Sequence, residues 1–359
     1  MRRTLLAAAL TFAIALPAQA QNELLRSCAE LDVPVSGLPT TVTEQYQFLC
    51  GQVVNSLSNL QPSVAIAFAG GNPVLGTATT FGTRFGILPR VSVTARANVA
   101  LAELPDLFDG YSARLTGSQL GAMGTTGIPI GSIQGDVSIG VFNGVSIAPM
   151  IGGIGSVDLL GSVAMLPQIE DFGLSEAIMN IGVGARIGIL RQGMLVPGIS
   201  ISGMYRRMGE VAFGDLAAGD PGEFSTNLET LSLRAVASKG VLMFDLAVGA
   251  GYDKYSSDVD LGWILSCETV ECVTVNGGKV LDLPGRLAGE LSTAAWNVFA
   301  DVSLNLLILN LVGEIGYQKA IDPIDLDALT EAGLPNQPMT TEELKGGRFF
   351  GSIGLRVAI

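Results

Sequence analysis

The side chains able to bind a solute, or one another, recur at alternate positions of otherwise apolar segments. They are Arg84, Arg96, Asp136, Asp158, Asn180, Arg186, Arg206, Arg234, Asp245, Asp301, Glu314 and Arg356. Both signs occur, and neighbouring segments offer pairs: Asp158 near Arg186, Arg234 beside Asp245, Glu314 with Arg356. A selective pore is expected to show one dominant sign at its constriction. Mutual neutralisation inside an enclosed space is therefore the first reading of these residues, and a polar solute pathway is the second.

Catalytic chemistry is narrowed by an absence. The chain has 359 residues and no histidine, which removes Ser-His-Asp and Cys-His nucleophile systems, imidazole metal sites and histidine acid–base steps. The expectation is no enzyme, no catalytic residue, no metal and no cofactor. Gly182, Gly184 and Gly188 lack the spacing of a phosphate loop and lie within a strand pattern rather than before a helix. Bare backbone there leaves room for the N-terminal segment or a ligand to lie against the wall. The acidic stretches Glu210, Asp215, Asp220, Glu223 and Asp322, Asp325, Asp327, Glu331 lack calcium-loop spacing and read as solvated loops. A net charge of −13 argues against nucleic acid as a partner.

Four cysteines, Cys28, Cys50, Cys267 and Cys272, allow three pairings. Cys28 with Cys50 and Cys267 with Cys272 are the shortest, and a four-cysteine metal site is the alternative. Met1-Arg2-Arg3, the apolar run from Leu5 to Leu16 and Ala18-Gln19-Ala20 have the form of a signal peptide over residues 1–20. Export implies an oxidising compartment, which favours disulfides over metal.

These groups must be held by elements of two kinds. Residues 21–60 mix polar and apolar positions at helical spacing, giving two short helices over Asn22–Leu31 and Val42–Leu57. From residue 61 onward the period is two. Met179, Ile181, Val183, Ala185, Ile187 and Ile189 alternate with Asn180, Gly182, Gly184, Arg186 and Gly188, which is the signature of a strand between two different environments. Similar segments fall at 63–69, 77–87, 90–99, 131–142, 145–165, 195–206, 228–238, 241–254, 290–305, 308–318 and 348–359, for about twelve strands in all. Tight turns such as Asn143-Gly144 alternate with long connections near 102–130, 207–227, 255–289 and 319–347. A soluble β-sandwich would need shorter strands and an outer face rich in Lys and Glu, yet only 15% of residues are charged and five are lysine. Tyr205, Tyr252, Tyr317 and Phe349 fall on the apolar face near the long-loop ends of their strands, where a membrane barrel carries an aromatic girdle.

The alternation of short and long connections, and a last strand in which Phe349, Ile353, Leu355, Val357 and Ile359 share one face, resemble Gram-negative outer-membrane β-barrel proteins. Gly70-Gly71-Asn72-Pro73 is similar to the Asn-Pro-Ala hatch motif of the long-chain fatty-acid transporter family, with Val74 in place of the alanine. That resemblance implies an N-terminal hatch in a fourteen-strand barrel; residues 63–69 would then not be a wall strand. The fold expected is all-β: a transmembrane antiparallel up-and-down β-barrel of about 12 strands, or 14, over 61–359, with a helical segment over 21–60 in the periplasm or plugging the lumen. The expected function is a bacterial outer-membrane channel or passive transporter for small or hydrophobic solutes. The alternative is a structural or adhesive barrel. Its partners would be outer-membrane lipid, lipopolysaccharide and the barrel assembly machinery.

Overall fold

The computed structural model describes residues 24, 26–84, 88–105, 114–115, 125–146, 152–167, 177–193, 196–213, 216–219, 222–306, 308–321 and 347–358. The signal-peptide residues and the acidic positions 215, 220, 322, 325, 327 and 331 lie outside these. Ten antiparallel strands form the wall: β1 (Val91–Pro105), β2 (Thr125–Phe142), β3 (Ser156–Leu166), β4 (Ile178–Leu190), β5 (Gly198–Phe213), β6 (Gly222–Val241), β7 (Phe244–Cys267), β8 (Leu281–Leu306), β9 (Leu309–Ala320) and β10 (Arg348–Ala358). Each pairs with its sequence neighbour, and β10 pairs with β1 through Ala358 opposite Ser92, so the sheet closes without an edge. The count of ten corrects the expected twelve or fourteen.

The ten expected segments from residue 90 onward each correspond to one wall strand. The two that fail are 63–69 and 77–87. Residues 63–69 belong to α1, a helix over Thr40–Ala69 that replaces the expected Val42–Leu57. A short apolar run cannot be told from a buried helix by periodicity alone. Of the described residues 77–84, only Thr83–Arg84 form a ladder, against Leu88–Pro89. The wall therefore begins at Val91 rather than residue 61. Residues 26–29 are also helical, and a short helix, α2 (Val270–Val275), sits between β7 and β8.

Outward positions are apolar because they have no partner inside the protein. Ile133, Ile181, Val183, Val248, Ile315 and Ile353 are each more than half exposed, an arrangement water would penalise. The apolar zone has two edges. At one end it reaches the short turns, whose tips Leu242 and Ile308 are exposed. At the other stand Tyr205, Tyr252, Tyr317 and Phe349, joined by Trp296; the Tyr317 ring lies 5.9 Å from Trp296 and 5.3 Å from Phe349. The first outward charges, Arg207, Lys254 and Lys319, come two residues past Tyr205, Tyr252 and Tyr317. From Leu242 to Tyr252 the axial height is about 26 Å, at ~3.4 Å per residue and ~40° tilt, close to the ~25 Å apolar band of a membrane barrel.

Beyond that belt the strands β7 and β8 continue and exchange faces. Inside the band the outward residues are apolar (Leu246, Val248, Trp296, Val298) and the inward ones polar (Asp245, Asp253, Asn297, Asp301). Past it the inward residues become Val259, Leu261, Trp263, Leu265, Leu283 and Leu287, all buried, while Asp258, Asp260, Asp282 and Arg286 face outward. The apolar stripe thus changes side past the aromatic belt, the outward face being apolar on one side of it and charged on the other. This exchange explains why 255–289 reads as a loop in the sequence.

Candidate functional site

The interior is occupied. α1 descends from the long-loop end, and residues 70–84 continue as an extended strap to the short-turn end, where β1 starts. The outer part of the lumen is apolar: Val64, Ala65, Ile66, Ala67 and Phe68 pack against Ala100, Ile130, Leu166, Ile178, Met208, Leu228 and Phe299. A helix satisfies its own backbone, so an apolar wall suffices. Gln61 is an exception; its amide donates to Ser257 Oγ at 2.8 Å and accepts from Thr293 Oγ1 at 2.6 Å.

The helix stops at Gly70, whose φ of 60° suits glycine and whose N–H still donates to Ile66 O at 2.8 Å. A Cβ there would meet Arg96 Nη1 at 2.9 Å. Apart from a turn in which Thr77 N donates to Val74 O at 3.2 Å and the short ladder at Thr83–Arg84, the strap beyond has no backbone pairing of its own, and buried backbone groups must find partners. The wall supplies them. Glu314 accepts from the N–H groups of Gly71 (2.9 Å) and Asn72 (2.6 Å). Asp301 accepts from Asn72 Nδ2 (2.6 Å) and Gly76 N (2.9 Å). Asp158 accepts from Phe81 N at 3.1 Å. The arginines take the carbonyls: Arg96 donates to Ala69 and Asn72, Arg234 to Gly71, Arg356 to Leu75, and Arg186 to Thr77 and Thr79. Seven of the wall strands, β1, β3, β4, β6, β8, β9 and β10, each present one such charged group at an inward position.

Ion pairs join some of the same residues. Asp158 bonds Arg186 at 2.7 Å and Arg96 lies 3.0 Å from Asp136, both buried. Arg234 pairs with Asp253 at 2.8 Å rather than with Asp245, which accepts from Asn305 at 2.8 Å. Glu314 is bound by the strap and Ser352, not by Arg356. These two expected pairs are thus corrected: the charges match backbone dipoles as well as one another. Arg206 is fully buried over Gly182 and donates to Ser232 Oγ at 3.2 Å. Asn180 is buried and faces inward. Arg84 sits in the two-residue ladder, not on a wall strand, which corrects its expected place. Arg96, Arg186, Arg206, Arg234, Arg348 and Arg356 balance Asp136, Asp158, Asp245, Asp253, Asp301 and Glu314 in number.

Sequence reasoning missed Asp253, although it shares the face of Asp245 at an even spacing. It also placed the plug in 21–60, whereas the parts inside the polar lumen are residues 70–84. Gly188 meets the strap at Thr80, while Gly182 and Gly184 lie under Arg206 and Met204. Among the described residues no three acidic or cysteine side chains converge to hold a metal. Both short cysteine pairings are present, Cys28–Cys50 and Cys267–Cys272.

At the outer end, Leu24, Val42, Tyr46 and Val54 pack with both disulfides against Leu261, Trp263, Leu265, Leu283 and Leu287. Tyr46 Oη donates to Pro284 O at 2.8 Å, and burial pushes its pKa up to about 12. Outside, Arg286 donates to Asp260 at 2.8 Å, and that hydrogen bond holds the Asp260 carboxyl below its ordinary range.

No protein family model matches the chain, and no curated protein matches it. Among solved structures it is similar to Neisserial surface protein A, at 12% identity over 74% of this chain and 96% of that one, with a TM-score of 0.28. The translocator domain of autotransporter NalP from Neisseria meningitidis matches at 10% identity over 75% and 88%, with a TM-score of 0.34. A Pseudomonas aeruginosa FadL homologue matches at 10% identity over 81% and 97%, with a TM-score of 0.24. Likenesses at these scores decide nothing about the role of this chain.

Proposed function

We propose that the chain is a bacterial outer-membrane barrel that rests closed and acts as a gated passive transporter for small solutes, its own strap forming the gate. The observation that carries this is the chemistry of the inner lumen. Residues 70–84 are held by hydrogen bonds that Arg96, Arg186 and Arg234 donate and Asp301 and Glu314 accept, groups that remain compatible with water once the strap moves. Polar interiors are general to membrane barrels; here the polar groups of the inner lumen are engaged by a segment of the same chain, which leaves them free for solute when that segment moves. The apolar outward band and the aromatic belt support the membrane location. Lipid, lipopolysaccharide and the assembly machinery are the partners this location implies, and a chain without histidine fits a role without catalysis. The reading as a surface-contact barrel is favoured by one feature, the disulfide-clipped outer cluster.

The hydroxyls of Thr80 and Ser156 lie 2.5 Å apart, so a Thr80→Cys/Ser156→Cys pair ties the strap to the wall. Single-channel recordings in planar bilayers should show openings that cease when the pair is oxidised and return on reduction. Openings that persist unchanged through oxidation would reject the strap as the gate.

A further inference from the structure

Residues 24–54 lie at the end of the barrel opposite to the start of β1. Leu24 touches the bare backbone of Gly289, and Tyr46 stacks near Trp263 with ring centroids 5.7 Å apart. Trp263 stands eleven residues past Tyr252 along β7, up to about 28 Å above the aromatic belt at ~3.3 Å per residue and ~40° tilt. β1 by contrast begins at the short turns, where Val91 pairs with Ile139. The chain therefore crosses the full height of the barrel before its first wall strand. α1 covers about 45 Å of that path at ~1.5 Å per residue, and the strap covers the rest.

The exchange of apolar faces along β7 and β8 is an independent mark of the same boundary. Lipid-facing Leu246 and Trp296 give way to water-facing Asp260, Asp282 and Arg286, while Trp263 and Leu283 turn inward onto the N-terminal residues. Both disulfides lie in this cluster and none in the band, as expected of a small core with neither lipid nor barrel wall around it. Gln47 adds a clip, donating to Ala29 O (2.8 Å) and Leu31 O (3.0 Å).

We propose that residues 24–54, together with the β7–β8 extension and α2, form a head displayed on the cell surface, so that this barrel carries its own N-terminal segment across the outer membrane and leaves it outside. The orientation follows from the rule that short turns of such barrels face the periplasm, and it rests on the membrane reading above. The head is a disulfide-stapled module tethered through the lumen, which couples anything bound outside to the strap that closes the inner passage.

The test is labelling of the full chain in cells with a maleimide on a polymer too large to enter through porins. Glu30→Cys and Glu44→Cys replace exposed head residues, and Arg90→Cys replaces an exposed residue at the short-turn end. Both head variants should label on intact cells to the extent reached after permeabilisation, whereas Arg90→Cys labels only after permeabilisation. Head variants that stay protected until the outer membrane is breached, in a barrel that still shifts on heating in gels, would overturn the proposal. Loss of the heat-shifting barrel from the outer-membrane fraction would overturn the membrane reading instead.

Discussion

In the outer half of the lumen residues 60–69 are helical and face Ala100, Ile130, Leu166 and Phe299; in the inner half residues 70–84 are non-helical and face arginines and carboxylates. The wall differs because the backbone inside it differs. Helical peptide groups are paired internally, so the wall need only exclude water. Most peptide groups of the strap have no backbone partner, and every buried N–H or C=O left so costs about 1–3 kcal/mol. The inner wall is charged for that reason, and the charges cancel across it. The outer half is consequently a core, fixed by packing, while the inner half is a set of exchangeable polar contacts.

The sharpest way to break this contrast is Asp158→Ala. It strands the buried Arg186 and removes the acceptor of the Phe81 N–H, so the loss should be about 3–5 kcal/mol. The temperature at which the folded barrel loses its gel mobility should fall, and open time in bilayers should rise. Ile66→Ala in the outer half leaves a cavity where the side chain is 1% exposed, costing about 2–4 kcal/mol. It should lower the same temperature without raising open time, and an increase in openings would erase the distinction between halves.

Smaller effects come from the head. Tyr46→Phe loses the bond to Pro284, worth about 1 kcal/mol. The Tyr46 phenol is raised in the folded state to about 12, so its stabilisation is complete below its ordinary value near 10 and is lost as pH rises toward 12. Near-ultraviolet dichroism of the head should show an alkaline transition that the phenylalanine variant lacks. Arg286→Ala removes an exposed ion pair with Asp260, and its unfolding temperature should match the parent protein.

Much of the wall was legible because its two faces meet different surroundings, which imposes a strict alternation, as in Met179–Ile189, where every second residue is apolar. Tyr205, Tyr252 and Tyr317 fall on the same outward face. Residues 63–69 misled because a helix inside an apolar wall is apolar all round and has no telling period. The strap misled differently: residues 77–84 are extended, but their partners are distant side chains on β3, β4 and β6, such as Ser238 for Ala78, 160 residues away, and no local pattern encodes that. Asn72 and Pro73 were visible as a hatch-like motif, and Asn72 does lie buried in the lumen, bound to Asp301. The pairing of Arg234 with Asp253 depended on register, which alternation leaves open by steps of two.

The central claim, a polar inner passage closed by the strap, is tested most directly by single-channel conductance of the intact chain beside a variant lacking residues 24–84. The account predicts a closed resting state for the intact protein and a steady, ohmic opening for the shortened barrel. A shortened barrel that still shifts on heating yet passes no current would contradict it, as would an intact chain that conducts steadily.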